Sequence, residues 1–443
     1  MGTLIGGSFS DKIGRKRVLM IGDILFLLGG LLICTAFSYE QFIVGRILMG
    51  GGTGIAAVVC AVYLGEVAPS LHRGRVVSVQ SVMITGGQLC AYAVSAGLDS
   101  IHGGWRVLFA LSLPFALAQG VAMHYWMPET PRFAVLKGDL DGARRTLERV
   151  YPKASSEQMD IKLQAILVAT EVSVSLNKVH PTLAGRMGAV LSTPKYVRCT
   201  ACAAAIFLGQ QMVGWNSFLY YSSTLFGAAG FTNTSAVGIL VAGLNCIGTV
   251  ASMLTMDRVG RRRMFLVGMP VMLASLVVAA VAFHFMTLST GGQLLDGQDY
   301  PKKWVGVMLA AMCVFILGNA PSIGTLAYTT VELIPLEVRG IGSSLAVSCQ
   351  WAGNLVISST FLTMLRALGA AGTYGLFAGF TALTLAFVYC CYPESAGLSL
   401  EETGTLFDEG FGVRKADQLR AAKRAGTRDI EGAGSTGSFS EKF

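Results

Sequence analysis

The chain has 443 residues and a formal net charge of +8; 53% of it is hydrophobic and only 14% is Asp, Glu, Lys or Arg, against roughly 25% charged in an ordinary soluble domain. That balance excludes most soluble classes and points to one polytopic, all-α membrane unit. The 10 cysteines all fall within or at the ends of apolar segments, where a thiol behaves as a small hydrophobe, so neither a disulfide framework nor a metal site is expected; Cys199 and Cys202 form a lone C-x-x-C with no second pair.

The chain opens on a stub, Met1 to Ser10, too short to span and without the regions of a signal peptide. Ten blocks then reach the roughly 20 apolar residues that a bilayer core of about 30 Å requires: 18–37, 42–64, 76–98, 107–127, 199–221, 236–255, 264–286, 304–326, 341–364 and 372–391. Between the fourth and fifth lies the polar stretch Pro128 to Arg198, in which Leu140, Ala143, Leu147 and Val150 recur at helical spacing and Ser155 or Ser156 is placed to cap a second helix. The organisation read from this is an amino-terminal transmembrane half (1–127), a cytoplasmic helical linker (128–198), a carboxy-terminal six-helix half (199–391) and a cytoplasmic tail (392–443) whose basic, Gly- and Ser-rich end is disordered.

Of the 34 Lys and Arg residues, all but Arg46, Arg106, Lys302, Lys303 and Arg366 fall on one side by loop parity. The positive-inside rule makes that side cytoplasmic. The basic charge is thereby a matter of topology, the expected partner is the lipid bilayer, and nucleic acid is not expected.

Self-comparison exposes a repeat. Asp11-Lys12-Ile13-Gly14-Arg15-Lys16-Arg17 returns as Asp257-Arg258-Val259-Gly260-Arg261-Arg262-Arg263, Glu66-x-x-Pro69-x-x-x-Arg73-Gly74 returns as Glu332-x-x-Pro335-x-x-x-Arg339-Gly340, and Pro128-Glu129-Thr130 returns as Pro393-Glu394-Ser395, in the same order. Parallel six-helix repeats about an axis along the membrane normal are one architecture of alternating-access transporters. The second copy has six blocks and the first has four and a stub, so the repeat predicts that the first helix and most of the second are missing from the start.

Carboxamides inside apolar blocks are the next signal: Gln88, Gln210, Gln211, Asn216, Asn245, Gln350 and Asn354. An amide offers an acceptor and two donors without a charge, which suits a ligand whose hydroxyls both donate and accept; each amide read alone serves equally well as interhelical glue worth roughly 0.6 to 2 kcal/mol. Gln211 and Asn216 would stand about 140° apart on an ideal helix, so sharing one ligand requires a break, which Gly214 permits. Gly318 to Gly324, with Pro321, interrupts a later helix as a hinge or gate. Arg46 lies well inside a block, where an unpaired charge costs at least roughly 2.5 kcal/mol, and needs a partner. Asp23 reads as near the cytoplasmic edge. No Ser, Cys, His or metal constellation marks an enzyme, and His124 and His284 stand near helix ends.

The repeated D-x-x-G-R-[KR]-R and E-x-x-P-x-x-x-R-G segments, Gly45-Arg46, Pro128-Glu129-Thr130-Pro131-Arg132, Gln210-Gln211-x-x-Gly214-x-Asn216 and Pro393-Glu394-Ser395 together resemble the sugar porter family of the major facilitator superfamily, from the stub to about Glu402. Ile84-Thr85-Gly86-Gly87-Gln88 and the run from Val338 through Trp351 to Ile357 are most similar to its fungal proton-coupled myo-inositol branch. The resemblance implies the major facilitator fold of two six-helix halves, no cofactor, and symport of a small polyol or sugar with protons by alternating access. It also implies a multi-pass location in the plasma membrane with linker and carboxyl terminus cytoplasmic. Carried over residue by residue, it gives a substrate set of Gln88, Gln210, Gln211, Asn216, Asn245, Tyr328, Trp351 and Asn354, and a proton-coupling Arg46 that in family members pairs with an Asp on the first helix. It further gives a gating network of Asp11, Arg15, Glu66, Arg73, Asp257, Arg261, Glu332 and Arg339, whose bridges between the halves favour the outward-open state. Two departures stand out: Ala327-Tyr328 replaces the usual Pro-Trp, and Gln80-Ser81 stands where many members have a second amide. Lacking its first helix, the chain as written is expected not to transport. A hexose or polyol facilitator, or a nutrient sensor on the same fold, are the alternatives.

Overall fold

The computed structural model describes residues 2–68, 73–99, 101–152, 154–179, 183–219, 227, 234–295, 298, 300–335, 338–396, 398 and 400–422. Every regular element among them is helical. The stub is itself a helix, α1 (Gly2–Ile13), followed by α2 (Arg15–Cys34), α3 (Tyr39–Val67), α4 (Arg73–Leu98) and α5 (Gly104–Tyr125). The linker folds as α6 (Pro131–Leu136), α7 (Leu140–Val150), α8 (Ser156–Val179) and α9 (Leu183–Ser192). The second half comprises α10 (Pro194–Met212), α11 (Thr234–Val259), α12 (Arg261–Met286), α13 (Lys302–Asn319) and α14 (Arg339–Cys391), with α15 (Leu400–Thr405) beyond it.

Eight helices among the described residues are long and apolar enough to cross a membrane. One of them, α14, holds two expected blocks. A straight helix of 53 residues would run about 80 Å at 1.5 Å per residue, far more than one crossing needs; the helix breaks at Gly369, where φ is 68°, a value that glycine adopts without steric cost. The Gly369 backbone there approaches that of Gly292, in the loop after α12. The expected block 199–221 is interrupted too. Its helix begins earlier, at Pro194, because a fixed φ and a missing N–H are harmless in a first turn.

Large apolar side chains are turned outward around the spans, among them Phe115, Leu355 and Leu383, the pattern of a surface that faces lipid. The inward side of the second half buries Phe207, Phe218, Phe265, Phe283, Phe315, Phe361 and Phe377 in one core, whereas the first half has a smaller core around Val18, Leu19, Ile55, Val59, Tyr63 and Met123. The halves meet along α4 and α11 and again where α1 lies on the first turns of α14. At the second contact the hydroxyls of Thr3 and Ser348 are 2.9 Å apart.

The sequence repeat becomes a repeated contact. Glu129 Oε1 accepts the backbone N–H groups of Arg15 and Lys16 at 3.1 and 3.2 Å, and Glu394 accepts those of Arg261 and Arg262 at 2.9 and 3.1 Å. Each glutamate thus caps the first turn of the helix that follows the D-x-x-G loop, satisfying donors with no partner in their own helix and placing negative charge at the positive end of the dipole.

In the linker, α7 buries Ala143 and Leu147 but leaves Leu140 exposed. Ser155 and Gln158 form a reciprocal capping box ahead of α8, with the Gln158 N–H on Ser155 Oγ at 3.3 Å and the Ser155 N–H on Gln158 Oε1 at 3.1 Å. The tail is ordered further than its composition predicts: Leu406 and Phe407 are buried, Arg198 donates to the Phe407 and Asp408 carbonyls, and residues 413–422 are helical with Ala416 buried. Composition misses this because one apolar face suffices to dock a short helix.

Candidate functional site

The break expected in the fifth block is present. α10 ends at Met212, Gly214 takes φ 84°, and helix resumes over 215–219. A side chain at Gly214 would also collide with the Phe377 ring. The reversal rotates Asn216 back onto the preceding turn, where its amide nitrogen donates to Gln211 Oε1. On a continuous helix the two amides could not have met.

A second break lies in the facing wall. α13 gives way to a π turn over Ala320–Gly324, with Ser322 at φ −112° and ψ −109°, and then to a 3₁₀ helix over Ala327–Leu333. Pro321 supplies no N–H and its ring cannot follow an unbroken turn. The freed backbone is re-paired locally: Thr325 Oγ1 donates to the Ala320 carbonyl at 2.6 Å, and the Gly324 carbonyl accepts Gln210 Nε2 at 2.8 Å.

Between these walls and α4 lies a cavity of about 260 Å³, near the lower end of the roughly 300–1,000 Å³ of small-ligand pockets, which suits one hydroxylated six-membered ring. All eight residues of the expected substrate set line it, Gln88, Gln210, Gln211, Asn216, Asn245, Tyr328, Trp351 and Asn354, together with Gln350. Gln350 is the hub: its Nε2 donates to Gln210 Oε1 at 2.8 Å and to Tyr328 Oη at 3.0 Å. Asn245 on α11 donates to Gln88 Oε1 on α4 at 3.2 Å, a bond between the two halves. Ser358 donates to Asn354 at 2.8 Å. Trp351 presents a ring that is 42% exposed, and Tyr328 stands edge-on to Phe207. Of the departing pair Gln80-Ser81, it is Ser81 that borders the cavity.

Asn319 belongs to the expected hinge, Gly318 to Gly324, and not to the expected substrate set. It is 1% exposed, it borders the cavity, and neither its amide nitrogen nor its oxygen has a partner among the described residues. The available signal is an amide two residues before a helix-breaking proline within an apolar segment.

Charges of the gating set pair within each half. Arg15 pairs with Glu66 at 3.0 Å; Arg132, which was not in the expected set, reaches the same carboxylate at 3.9 Å. Arg261 pairs with Glu332 at 3.5 Å and with Asp257 at 3.6 Å, and Arg339 donates to the Ile334 carbonyl at 3.0 Å. These ion pairs of Arg15, Arg132 and Arg261 each lie within one half. Arg15 and Arg261 sit in first turns fixed by Glu129 and Glu394, so their side chains fold back onto their own half. The side chains of Asp11 and Arg73 lie outside the described residues. Arg46 is exposed on α3, with its guanidinium 5.9 Å from the Phe109 ring centre and no ion pair among the described residues.

The family model described as "Sugar (and other) transporter" matches residues 1–407. Myo-inositol transporter 1A of Cryptococcus neoformans is 41% identical over 430 residues, covering 97% of this chain and 75% of that protein. Myo-inositol transporter 1 of Saccharomyces cerevisiae is 38% identical over 423 residues, 95% of this chain and 72% of that one. Since the matches run over nearly all of this chain, they lend no support to the expectation that helices are missing from its start. Among solved structures, the proton:xylose symporter XylE bound to 6-bromo-6-deoxy-D-glucose superposes with a TM-score of 0.76 at 24% identity, over 92% of this chain and 86% of that one. The inward-open form of XylE from E. coli, equally 24% identical and over 92% and 87% of the two chains, gives 0.65.

Proposed function

This chain belongs to the sugar transporter family, a family of transporters and not of enzymes, and from that premise we propose that it carries myo-inositol or a closely related polyol by alternating access, driven by protons. The observation that carries the reading is the cavity, where amides and hydroxyls of both halves converge on a space for one ring. Amides from both walls suit a cyclitol, whose hydroxyls act as donors and acceptors on every side, and the exposed Trp351 ring offers an apolar face for its C–H surface. The identity to fungal myo-inositol transporters supports inositol over hexoses.

In this reading Gln88, Gln210, Gln211, Asn216, Asn245, Tyr328, Trp351 and Asn354 contact the substrate, with Asn319 and Gln350 added. Arg46 serves proton coupling. The charges at the repeated loops, Asp11, Arg15, Glu66, Arg73 and their counterparts Asp257, Arg261, Glu332 and Arg339, form the gating network that biases the equilibrium between the two states. The protein lies in the plasma membrane, and the Lys and Arg distribution supports a cytoplasmic linker and carboxyl terminus.

Uptake of radiolabelled myo-inositol by transporter-deficient yeast expressing the chain tests this. Saturable uptake that collapses with a protonophore and resists excess glucose is expected. Absence of uptake would sink the transport reading, and equal competition by glucose would replace inositol with hexose.

A further inference from the structure

Four charged side chains are buried among the described residues: Arg15, Asp23, Arg261 and Glu394. Three are engaged, Arg15 with Glu66, Arg261 with Glu332 and Glu394 with the first turn of α12. Asp23 is the exception. It stands eight residues into α2, about 12 Å along the helix, and the fold closes α3 and α5 around it instead of leaving it at a wet edge.

One oxygen, Oδ1, accepts the side-chain amide of Gln119 on α5 at 3.0 Å. The other, Oδ2, is buried with no hydrogen-bond partner among the described residues and has Gly120 beside it. No described cation reaches the carboxyl group. From α3 it faces the Cys60 thiol and, a turn on, Tyr63, whose hydroxyl donates to the Pro128 carbonyl. From α5 the titratable group is His124, exposed and edge-on to Tyr125. Lys16 on α2 spends its ammonium on the His124 carbonyl at 3.0 Å, Arg15 is held by Glu66, and Lys12 of α1 is exposed. An ionised carboxylate in this setting has one amide donor and no counter-charge among the described residues, which disfavours the charged form. A neutral carboxyl keeps the same bond on its carbonyl oxygen and leaves only one hydroxyl unpaired.

We infer that Asp23 is a proton-binding site of the amino-terminal half, its carboxyl group holding H⁺ on Oδ2 while Gln119 fixes Oδ1 as the carbonyl. The site stands outside the amide cavity, and its existence does not depend on what the cavity carries.

The test is infrared difference spectroscopy on the full chain in lipid nanodiscs at about pH 7, reading protonation directly whether or not the protein transports. The wild-type minus Asp23→Asn spectrum is expected to contain the carbonyl stretch of a protonated carboxyl group, lost in the variant. Gln119→Leu is expected to move that band to higher frequency by freeing the carbonyl from its donor. Carboxylate stretches alone in the first difference spectrum would overturn the proposal. If Asp23→Asn does not fold, Gln119→Leu carries the test: an unshifted protonated-carboxyl region would overturn it equally.

Discussion

An amide buried with both ends unpaired is costly, roughly 1 to 3 kcal/mol for each orphaned group, and Asn319 is such an amide at the edge of the cavity. If its polar ends serve a substrate hydroxyl, stability and transport should separate. Asn319→Leu, similar in size, is expected to leave the melting temperature unchanged or raised and to increase the KM for inositol about tenfold, the equivalent of about 1.4 kcal/mol. A lowered melting temperature with an unchanged KM would show that the amide is structural. Gln350 is the contrasting case, because its bonds to Gln210 and Tyr328 make it part of the wall itself. Tyr328 also gains a physical reason for standing where the family usually has Trp: its hydroxyl accepts the Gln350 amide, whereas an indole N–H can only donate.

At the scale of elements, the site depends on two interrupted helices. Amides at 211 and 216 become neighbours only because α10 stops and Gly214 turns the chain into left-handed space. Gly214→Ala meets both the positive φ and the Phe377 ring, so a loss of about 1 to 3 kcal/mol is expected, seen as a lower melting temperature in detergent. Inositol affinity should fall by about tenfold or more as Asn216 loses its position. Wild-type melting and binding in this variant would mean that the break contributes nothing. The π turn in the opposite wall has its own cause in Pro321, and the turn makes the Gly324 carbonyl available to Gln210.

For the whole molecule, the contact of α1 with α14 is the joint that rocking must open. The Thr3 and Ser348 hydroxyls already touch. A double substitution, Thr3→Cys with Ser348→Cys in a background whose native cysteines are replaced, should form a disulfide on mild oxidation. Uptake should then fall at least about tenfold and return on reduction, since a locked joint holds one state of a two-state equilibrium. Unchanged uptake in the cross-linked protein would remove α1 and α14 from the moving interface.

Much of this architecture is legible without coordinates. The all-helical character, the order of the apolar helices, the twofold repeat and the amide set follow from hydropathy and self-similarity, which are local or pairwise properties of the chain. Even the break at Gly214 is foreseeable, because two amides on opposite faces of a helix cannot serve one ligand. Tertiary packing alone decided the rest. Glu129 and Glu394 cap helices far from them in sequence, and so fix the first turns from which Arg15 and Arg261 reach Glu66 and Glu332. Asn319, at the π turn beside the cavity, has no partner among the described residues, and Asp23, close enough to the end of its block to look solvated, is sealed by α3 and α5. Burial and pairing depend on what lies beside a side chain in space, and residues remote along the chain supply it.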